Sequence, residues 1–216
     1  MRTLGLLLIC STMVFLAGCD EPTIRSKAEA GDTNLQYNLG VMYAEGKALP
    51  KDSAEAVKWF RMAAKLGLAE AQTYLGFMYE NGEGVAKDSA EAVKWYRKAA
   101  DQGYATAQYN LGISYRKGEG VPKDDAEAEK WYRKAADQGH ARAQSNLGFM
   151  YRNGEGVPKD EAEAYAWYNI AAVSYDNARK TRDELEKTLT PEQKARAQQR
   201  STELHNQIEA RKKAGK

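Results

Sequence analysis

A glycine-rich segment and two histidines are the first candidates for chemistry in this chain of 216 residues. Residues 118–124 read Gly-Glu-Gly-Val-Pro-Lys-Asp, which combines glycines with a lysine as phosphate-binding loops do. Such a loop follows a strand and opens a helix with Gly-Lys-Ser or Gly-Lys-Thr, and the sequence shows neither feature. We therefore interpret the segment as a turn between helices. Because His140 and His205 fall in different predicted elements with no free thiol to join them, the sequence predicts no metal site and no catalytic residue.

Four tryptophans are the second candidate, because aromatic rings can form a stacking platform for sugars or bases. They are Trp59, Trp95, Trp131 and Trp167, spaced by 36 residues. Aromatic residues that recur at helical spacing are more typical of a core, so we favour packing over ligand stacking. Lysines and arginines recur beside them and are interpreted as a solvated outer face: Lys58, Lys94, Lys130, Arg61, Arg97 and Arg133.

Composition excludes some classes of partner. The chain is 43% apolar and 29% charged, and its 32 basic and 30 acidic residues leave a net charge of +2. This balance suits a folded soluble body and gives no support to nucleic-acid binding or to a strongly acidic substrate.

The first 18 residues have the composition of a secretory signal. A positive start at Arg2 precedes an apolar stretch over residues 4–16, which is shorter than the roughly 20 residues of a membrane span. The following Leu16-Ala17-Gly18-Cys19 resembles a bacterial lipobox. That resemblance implies that residues 1–18 are removed, that Cys19 carries a thioether-linked diacylglycerol, and that the new amino terminus is acylated. The alternative is an ordinary secretory signal with an incidental cysteine.

The same resemblance gives a location and a tether. Asp20 is similar to the signal that retains enterobacterial lipoproteins, which implies the periplasmic face of the inner membrane, with the outer membrane as the alternative. The covalent lipid is the only cofactor implied, and the mature chain has no free thiol because Cys10 leaves with the signal. Residues 19–27 are predicted to form a lipidated tether, of which the eight residues after Cys19 would span roughly 25–30 Å when extended.

A period of 36 residues organises most of the remaining chain. In the third unit, Ala107, Leu111 and Tyr115 form one helical stripe, and Ala128 and Trp131 begin another. Each unit therefore predicts two helices, and the four units are residues 28–67, 68–103, 104–139 and 140–175. Residues 176–216 break the period and are predicted to form a helical cap, anchored by Leu204 and Ile208, with a frayed tail.

Aspartates and glycines mark the predicted helix ends. The aspartates are predicted N-caps of the second helices: Asp52, Asp88, Asp124 and Asp160. Glycines are predicted to end the first helices: Gly82, Gly118 and Gly154. Another set recurs inside the first helices: Gly40, Gly76, Gly112 and Gly148. Since glycine costs about 1 kcal/mol relative to alanine in a helix interior, this second set predicts close helix contact, with the neighbouring tryptophan as the occupant of each notch.

The repeated pattern resembles the Sel1-like repeat, a relative of the tetratricopeptide repeat. It reads Ala-x-x-x-Leu-Gly-x-x-Tyr-x-x-Gly-x-Gly-Val-x-x-Asp, followed by Ala-x-x-Trp-Tyr-x-x-Ala-Ala-x-x-Gly, and spans residues 28–175. The resemblance implies an all-α fold, a right-handed α-solenoid of four helix-turn-helix repeats with C-terminal capping helices.

The positions that vary between repeats form a strip on the first helices, which also includes Val41, Ala44 and Ile113. The predicted partner-binding residues in this strip are Tyr37, Thr73, Phe77, Glu80, Tyr109, Arg116, Ser145, Phe149 and Arg152. The resemblance to tetratricopeptide proteins places this strip in a concave groove, and its mixture of tyrosine, phenylalanine and arginine is typical of binding hot spots. For the apolar positions 41, 77, 113 and 149, groove and core both remain open.

These observations favour a non-catalytic envelope adaptor that is tethered to the membrane and binds an unknown protein partner. The resemblance to Sel1-like proteins implies that this adaptor could act as a regulator, an inhibitor or an immunity protein. The alternative is an envelope assembly protein that binds a polysaccharide or peptidoglycan. A third hypothesis is a β-lactam-active enzyme, which cysteine-rich Sel1 relatives suggest, although their disulfides are missing here.

Overall fold

The computed structural model describes residues 21–214, which contain eleven α-helices and no strand. The helices are α1 (Glu21–Glu29), α2 (Thr33–Glu45), α3 (Ser53–Lys65), α4 (Ala69–Asn81), α5 (Ser89–Asp101), α6 (Ala105–Lys117), α7 (Asp125–Asp137), α8 (Ala141–Asn153), α9 (Glu161–Ala171), α10 (Asp176–Glu186) and α11 (Pro191–Ala214). Helices α2 to α9 form four pairs, each with a first and a second helix, and each helix from α1 to α9 packs on the next along the chain. The predicted all-α solenoid is confirmed.

The predicted caps are confirmed as well. Each of the four aspartates before a second helix accepts backbone N–H groups from the first turn of that helix, as Asp124 does from Glu127 at 2.9 Å. The glycines that end the first helices are left-handed, with φ of +73°, +73° and +74°. Because the caps repeat in every unit, the turns between helices keep the same geometry along the solenoid.

The notch at the glycines inside the first helices is filled by a different ring from the predicted one. A Cβ atom at Gly112 would lie 2.6 Å from the ring of Tyr132, and Gly40 stands in the same relation to Phe60. The occupant is thus the aromatic residue after each tryptophan, and the prediction that the tryptophan fills the notch is wrong. Burial raises the pKa of Tyr132 to about 12, so its hydroxyl stays protonated in the core.

The tryptophans are core residues, with Trp59 and Trp167 fully buried. The lysines of the second helices are exposed, as predicted, and Lys94 pairs with Glu91 at 2.8 Å. The prediction that the arginines form a solvated outer face is wrong, because they are partly buried and reach the next repeat. Arg61 donates to the Tyr79 hydroxyl at 3.0 Å, and the equivalent arginines of the next two repeats make the same bond.

The segment predicted as an extended tether is largely helical. Helix α1 covers residues 21–29, packs against α2 and buries Ala28 completely. Arg25 donates to the Tyr43 hydroxyl in the way that Arg61 donates to Tyr79. Helix α1 therefore stands in the place of a second helix before the first repeat. Residues 19 and 20 lie outside the described residues.

A ladder of buried glutamines also joins the repeats. The side chain of Gln108 donates to the Ala100 carbonyl at 3.1 Å, and the equivalent glutamine of each other repeat makes the same bond. Gln102 extends the ladder by donating to Gln72 Oε1 at 2.7 Å, and Gln138 donates to Gln108 Oε1 at 2.8 Å. These bonds satisfy amide groups that the core would otherwise leave unpaired.

The ladder lacks one bond in the first repeat, and the chain offers a way to restore it. Leu66 occupies the position of Gln102 and Gln138, is 59% exposed, and leaves the buried Gln36 Oε1 without a partner among the described residues. We expect Leu66→Gln to raise the free energy of unfolding by about 0.5–1.5 kcal/mol, since a buried acceptor gains a donor. Urea unfolding measures the change. Leu66→Ala is the control, and equal stability of the two variants would contradict the prediction.

The C-terminal helices cover the end of the solenoid. Thr190 and Gln193 form a capping box at the start of α11, in which each side chain bonds the other residue's backbone N–H. Helix α11 then runs back along the second helices α9 and α7, with Leu204 and Ile208 buried as predicted. Arg200 pairs with Glu163 of α9 at 2.8 Å.

Candidate partner-binding face

The first-helix face comprises the exposed and half-buried side chains of α2, α4, α6 and α8 at and beside the positions that vary between repeats. On it, Phe77 and Phe149 are 45% and 38% exposed, and Arg152 is also exposed. Half-buried positions are Tyr37, Val41, Ala44, Glu80, Tyr109, Ile113, Arg116 and Ser145. Of the apolar positions that the sequence left open, the two phenylalanines therefore reach the surface.

Thr73 is the one predicted groove residue whose side chain is buried. Its side chain is buried, and its hydroxyl donates to the Ala69 carbonyl at 2.8 Å within α4. A short hydroxyl can satisfy itself on the preceding helical turn, and it then has little left to offer a partner.

Tyr74 is a surface residue that sequence reasoning missed. Its ring is 39% exposed, stacks on Phe60 at 5.1 Å between centroids, and meets the edge of Tyr37 at 5.8 Å. A depression of about 290 Å³ beside it is lined by Thr73, Tyr74, Phe77, Tyr104, Thr106 and Asn110. The available signal was a departure from the repeat, because the equivalent positions 38, 110 and 146 are all asparagine.

Side chains connect neighbouring first helices into one continuous face. Arg116 lies over the ring of Phe149 at 5.6 Å, and Tyr109 stacks on His140 at 4.6 Å. His140 also caps α8, where its Nδ1 accepts the N–H of Ala143 at 3.3 Å. Burial and the nearby Arg142 lower the pKa of His140, which keeps the ring neutral at pH 7.

Charges on the first helices separate by sign along the solenoid. The charged residues of α2 and α4 are Glu45, Glu70 and Glu80, whereas those of α6 and α8 are Arg116, Lys117, Arg142 and Arg152. Glu45 is paired with Lys47, and Lys117 with Glu119, in the adjoining turns. The other five residues form no ion pair with a described residue, although Glu80 accepts the Tyr96 hydroxyl at 2.7 Å.

The pKa values of the tyrosines on this face reflect the same separation of acidic from basic residues. Burial raises the pKa of Tyr37 and Tyr104, and the charge of Glu70 raises both further. Burial also raises the pKa of Tyr109, but the charges of Arg142 and Arg116 oppose it there. The phenols are neutral at physiological pH and can donate or accept hydrogen bonds.

Helix α11 packs mainly on the second helices α9 and α7, on the other side of the solenoid from the first-helix face. Among residues 21–214, no group of three or more histidine, cysteine or acidic residues is placed to hold a metal ion. Nor is any helix in that part of the chain both long and apolar enough to cross a membrane. What distinguishes the first-helix face chemically is exposed aromatic surface between charges of opposite sign.

Comparisons with known proteins agree with this architecture. The Sel1 repeat family model matches residues 34–68, 69–104, 105–140 and 141–172. A Sel1 repeat protein from Oxalobacter formigenes is 39% identical, with a TM-score of 0.64, over 69% of this chain and 61% of its own. A protective antigen present in uropathogenic Escherichia coli strains, which displays an SLR fold, is 32% identical with a TM-score of 0.56.

The second of these matches covers 86% of this chain, and the chain spans only 48% of that antigen's length. No curated protein matches the chain. The four repeats found by the family model cover more than half of the sequence and coincide with the helix pairs of the solenoid. This protein belongs to the Sel1 repeat family.

Proposed function

We propose that this protein is a non-catalytic envelope adaptor, which binds a protein partner through its first-helix face and is held to a membrane by lipid on Cys19. Sel1 repeat solenoids typically serve as scaffolds for protein interactions. The observation that carries the proposal is the exposure of Tyr74 and Phe77 beside the depression on α4 and α6, with Phe149 exposed further along the same face on α8. Exposed aromatic residues next to a pocket are the usual anchors of protein interfaces.

Helix α1 supports a short connection between the lipid and the body. The described part of α1 starts at Glu21 and packs on α2, so only Asp20 lies between Cys19 and the folded unit. The two Cα–Cα steps from Cys19 to Glu21 span at most about 7 Å. The N-terminal end of the solenoid would therefore lie against the bilayer, on the periplasmic side of the inner membrane if Asp20 acts as a retention signal.

The structure gives less support to the glycan alternative. Tyr37 and Tyr109, the two tyrosines of the predicted groove that could stack on sugars, already contact other rings. Tyr109 stacks on His140, and Tyr37 contacts Phe60 and Tyr74. A partner protein can use the exposed edge of Phe77 without displacing those contacts.

Phe77→Ala tests the adaptor function. We expect it to weaken partner binding by about 2 kcal/mol, roughly 30-fold, because an exposed anchor is lost while the core is unchanged. A photo-crosslinking amino acid at position 77 should trap a discrete adduct in intact cells, and the partner identified from it can be titrated against the wild type and the alanine variant.

The matched control is position 94, where the lysine is exposed on a second helix. The same crosslinker there should trap no specific adduct, and Lys94→Ala should bind the partner normally. Adducts from position 94 with none from position 77 would contradict the proposal and place the interface on the second helices.

A further inference from the structure

We infer that the first-helix face binds a polarised segment of its partner, with basic residues over repeats one and two, an apolar or aromatic residue at the depression, and acidic residues over repeats three and four. This inference rests on the adaptor function and names the partner's chemistry. It follows from the order of charges along the face, not from exposed aromatic surface alone.

The acidic end of the face is set by α4. Glu70 and Glu80 are both partly exposed and lack a cationic partner among the described residues. Neither α2 nor α4 carries a lysine or arginine. A ligand that lies over these helices therefore meets negative charge without local compensation, and complementary charges are what fix register at an interface.

The basic end is set by α6 and α8. Arg142 and Arg152 are exposed, Arg116 lies over Phe149, and none of the three pairs with a described carboxylate. No acidic residue occurs in either helix. The guanidinium groups of Arg142 and Arg152 are thus available to carboxylates of a partner, which they can bind through two hydrogen bonds.

The apolar depression lies between these two ends. Tyr74 and Phe77 of α4 and Asn110 of α6 line it, together with Tyr104 at the start of α6. Its volume of about 290 Å³ suits one large side chain. Packed helices lie about 8–10 Å apart, so the charged positions two repeats apart are on the order of 20 Å from each other. An extended segment of about six residues, at roughly 3.3 Å each, covers that distance.

Glu70 and Arg142 make the inference testable without a change of net charge. They occupy equivalent positions, each the second residue of its first helix, two repeats apart. Because Glu80 and Arg152 are unchanged, the double variant Glu70→Arg with Arg142→Glu leaves α4 and α8 each with one charge of either sign. It therefore cancels the separation of charges and leaves the aromatic residues in place. Lys94→Glu with Lys130→Glu, on the exposed second-helix face, serves as the control for charge changes elsewhere.

The probes are three synthetic nonapeptides of identical composition. One has three lysines, a Gly-Trp-Gly centre and three glutamates, the second has the reverse order, and the third alternates lysine and glutamate around the same centre. We expect one segregated peptide to bind the wild type at least tenfold more tightly than the alternating peptide, by fluorescence anisotropy at low salt. The charge-swapped variant should lose the preference for a segregated peptide, and the second-helix control should behave as the wild type.

Equal binding of segregated and alternating peptides, an unchanged preference in the swapped variant, or no binding of any peptide would overturn the polarity. If crosslinking at position 77 still traps a partner in those cases, the adaptor function stands without the proposed polarity of the bound segment. If the free protein forms a salt-sensitive homodimer that survives the charge swap but dissociates when only one of the two charges is reversed, the face binds a second copy of the chain. That outcome would also overturn the inference.

Discussion

Replacement of Gly120 by alanine is expected to lower the free energy of unfolding by about 3–5 kcal/mol, the combined cost of a left-handed non-glycine residue and of overpacking. Gly120 has φ of +76°, and a Cβ atom there would lie 2.1 Å from the carbonyl oxygen of Ser89. Ser89 begins α5, so the obstacle is backbone that belongs to the preceding repeat. Backbone cannot rotate away as a side chain can, and the repeats would have to separate.

Gly103→Ala is the matched control for this prediction. Gly103 has a similar φ of +88°, but a Cβ atom there would meet nothing within 4 Å. Its replacement should cost only the conformational part, about 1–2 kcal/mol. Urea unfolding of both variants measures the difference, and equal losses would show that the contact with Ser89 contributes nothing.

The first repeat already separates the two effects. Ala48 stands where later repeats have the second glycine of the turn, and it adopts φ of +67°. A left-handed alanine is therefore tolerated in this turn. Gly84 and Gly156 repeat the close approach of Gly120, at 2.1 Å and 2.4 Å from the carbonyls of Ser53 and Asp125. What requires glycine in the later turns is the neighbouring repeat.

This contact also explains the glycine-rich segment that resembles a phosphate loop in composition. In a phosphate loop, glycine allows the backbone to approach the ligand closely. Here Gly120 allows the backbone to approach the start of α5, and Gly118 ends α6. The sequence context predicted a turn between helices, and the structure shows that the glycine of this turn lies against the backbone of Ser89.

Periodicity made the helices, caps and turns predictable because each depends on residues close together in the chain. The partners across repeats were not predictable in the same way. The ring in the notch of Gly112 is Tyr132, not Trp131, because one residue along a helix turns the side chain by about 100°, and only the packing angle decides which ring faces the glycine. The arginine–tyrosine bonds depend on the same angle, so Arg97 looked like a surface residue although it reaches Tyr115.

Helix α1 could have been found from the sequence. Arg25, Ala28 and Gly31 stand 36 residues before Arg61, Ala64 and Gly67, in the register of a second helix. The tryptophan that marks the other second helices is missing, since position 23 is a threonine. A search for repeats that relies on tryptophans therefore begins one helix too late in the chain and misses α1. On the candidate site, sequence variation identified Phe77 and Phe149 but missed Tyr74, because its stripe was traced through the neighbouring Thr73.

Cys19→Ser is expected to remove the protein from the membrane. Wild-type protein should have the mass of residues 19–216 with three acyl chains, since each buried methylene contributes about 0.8 kcal/mol and several chains together make release negligible. The serine variant should carry no lipid. To separate lipid from an uncleaved apolar leader, residues 20–216 can be exported behind a generic cleavable signal. We expect this lipid-free body to shift the membrane-to-soluble ratio on the order of a hundredfold or more.

Cys10→Ser is the internal control, because it changes the other cysteine within the same leader and should leave mass and partitioning as in the wild type. A lipidated Cys19→Ser variant, or a wild type of unmodified mass, would refute the lipid anchor. The outcome also decides how the first-helix face is presented. If Cys19 carries the lipid, only Asp20 lies between the anchor and the first described residue of α1, so the partner would have to be reachable close to the bilayer surface.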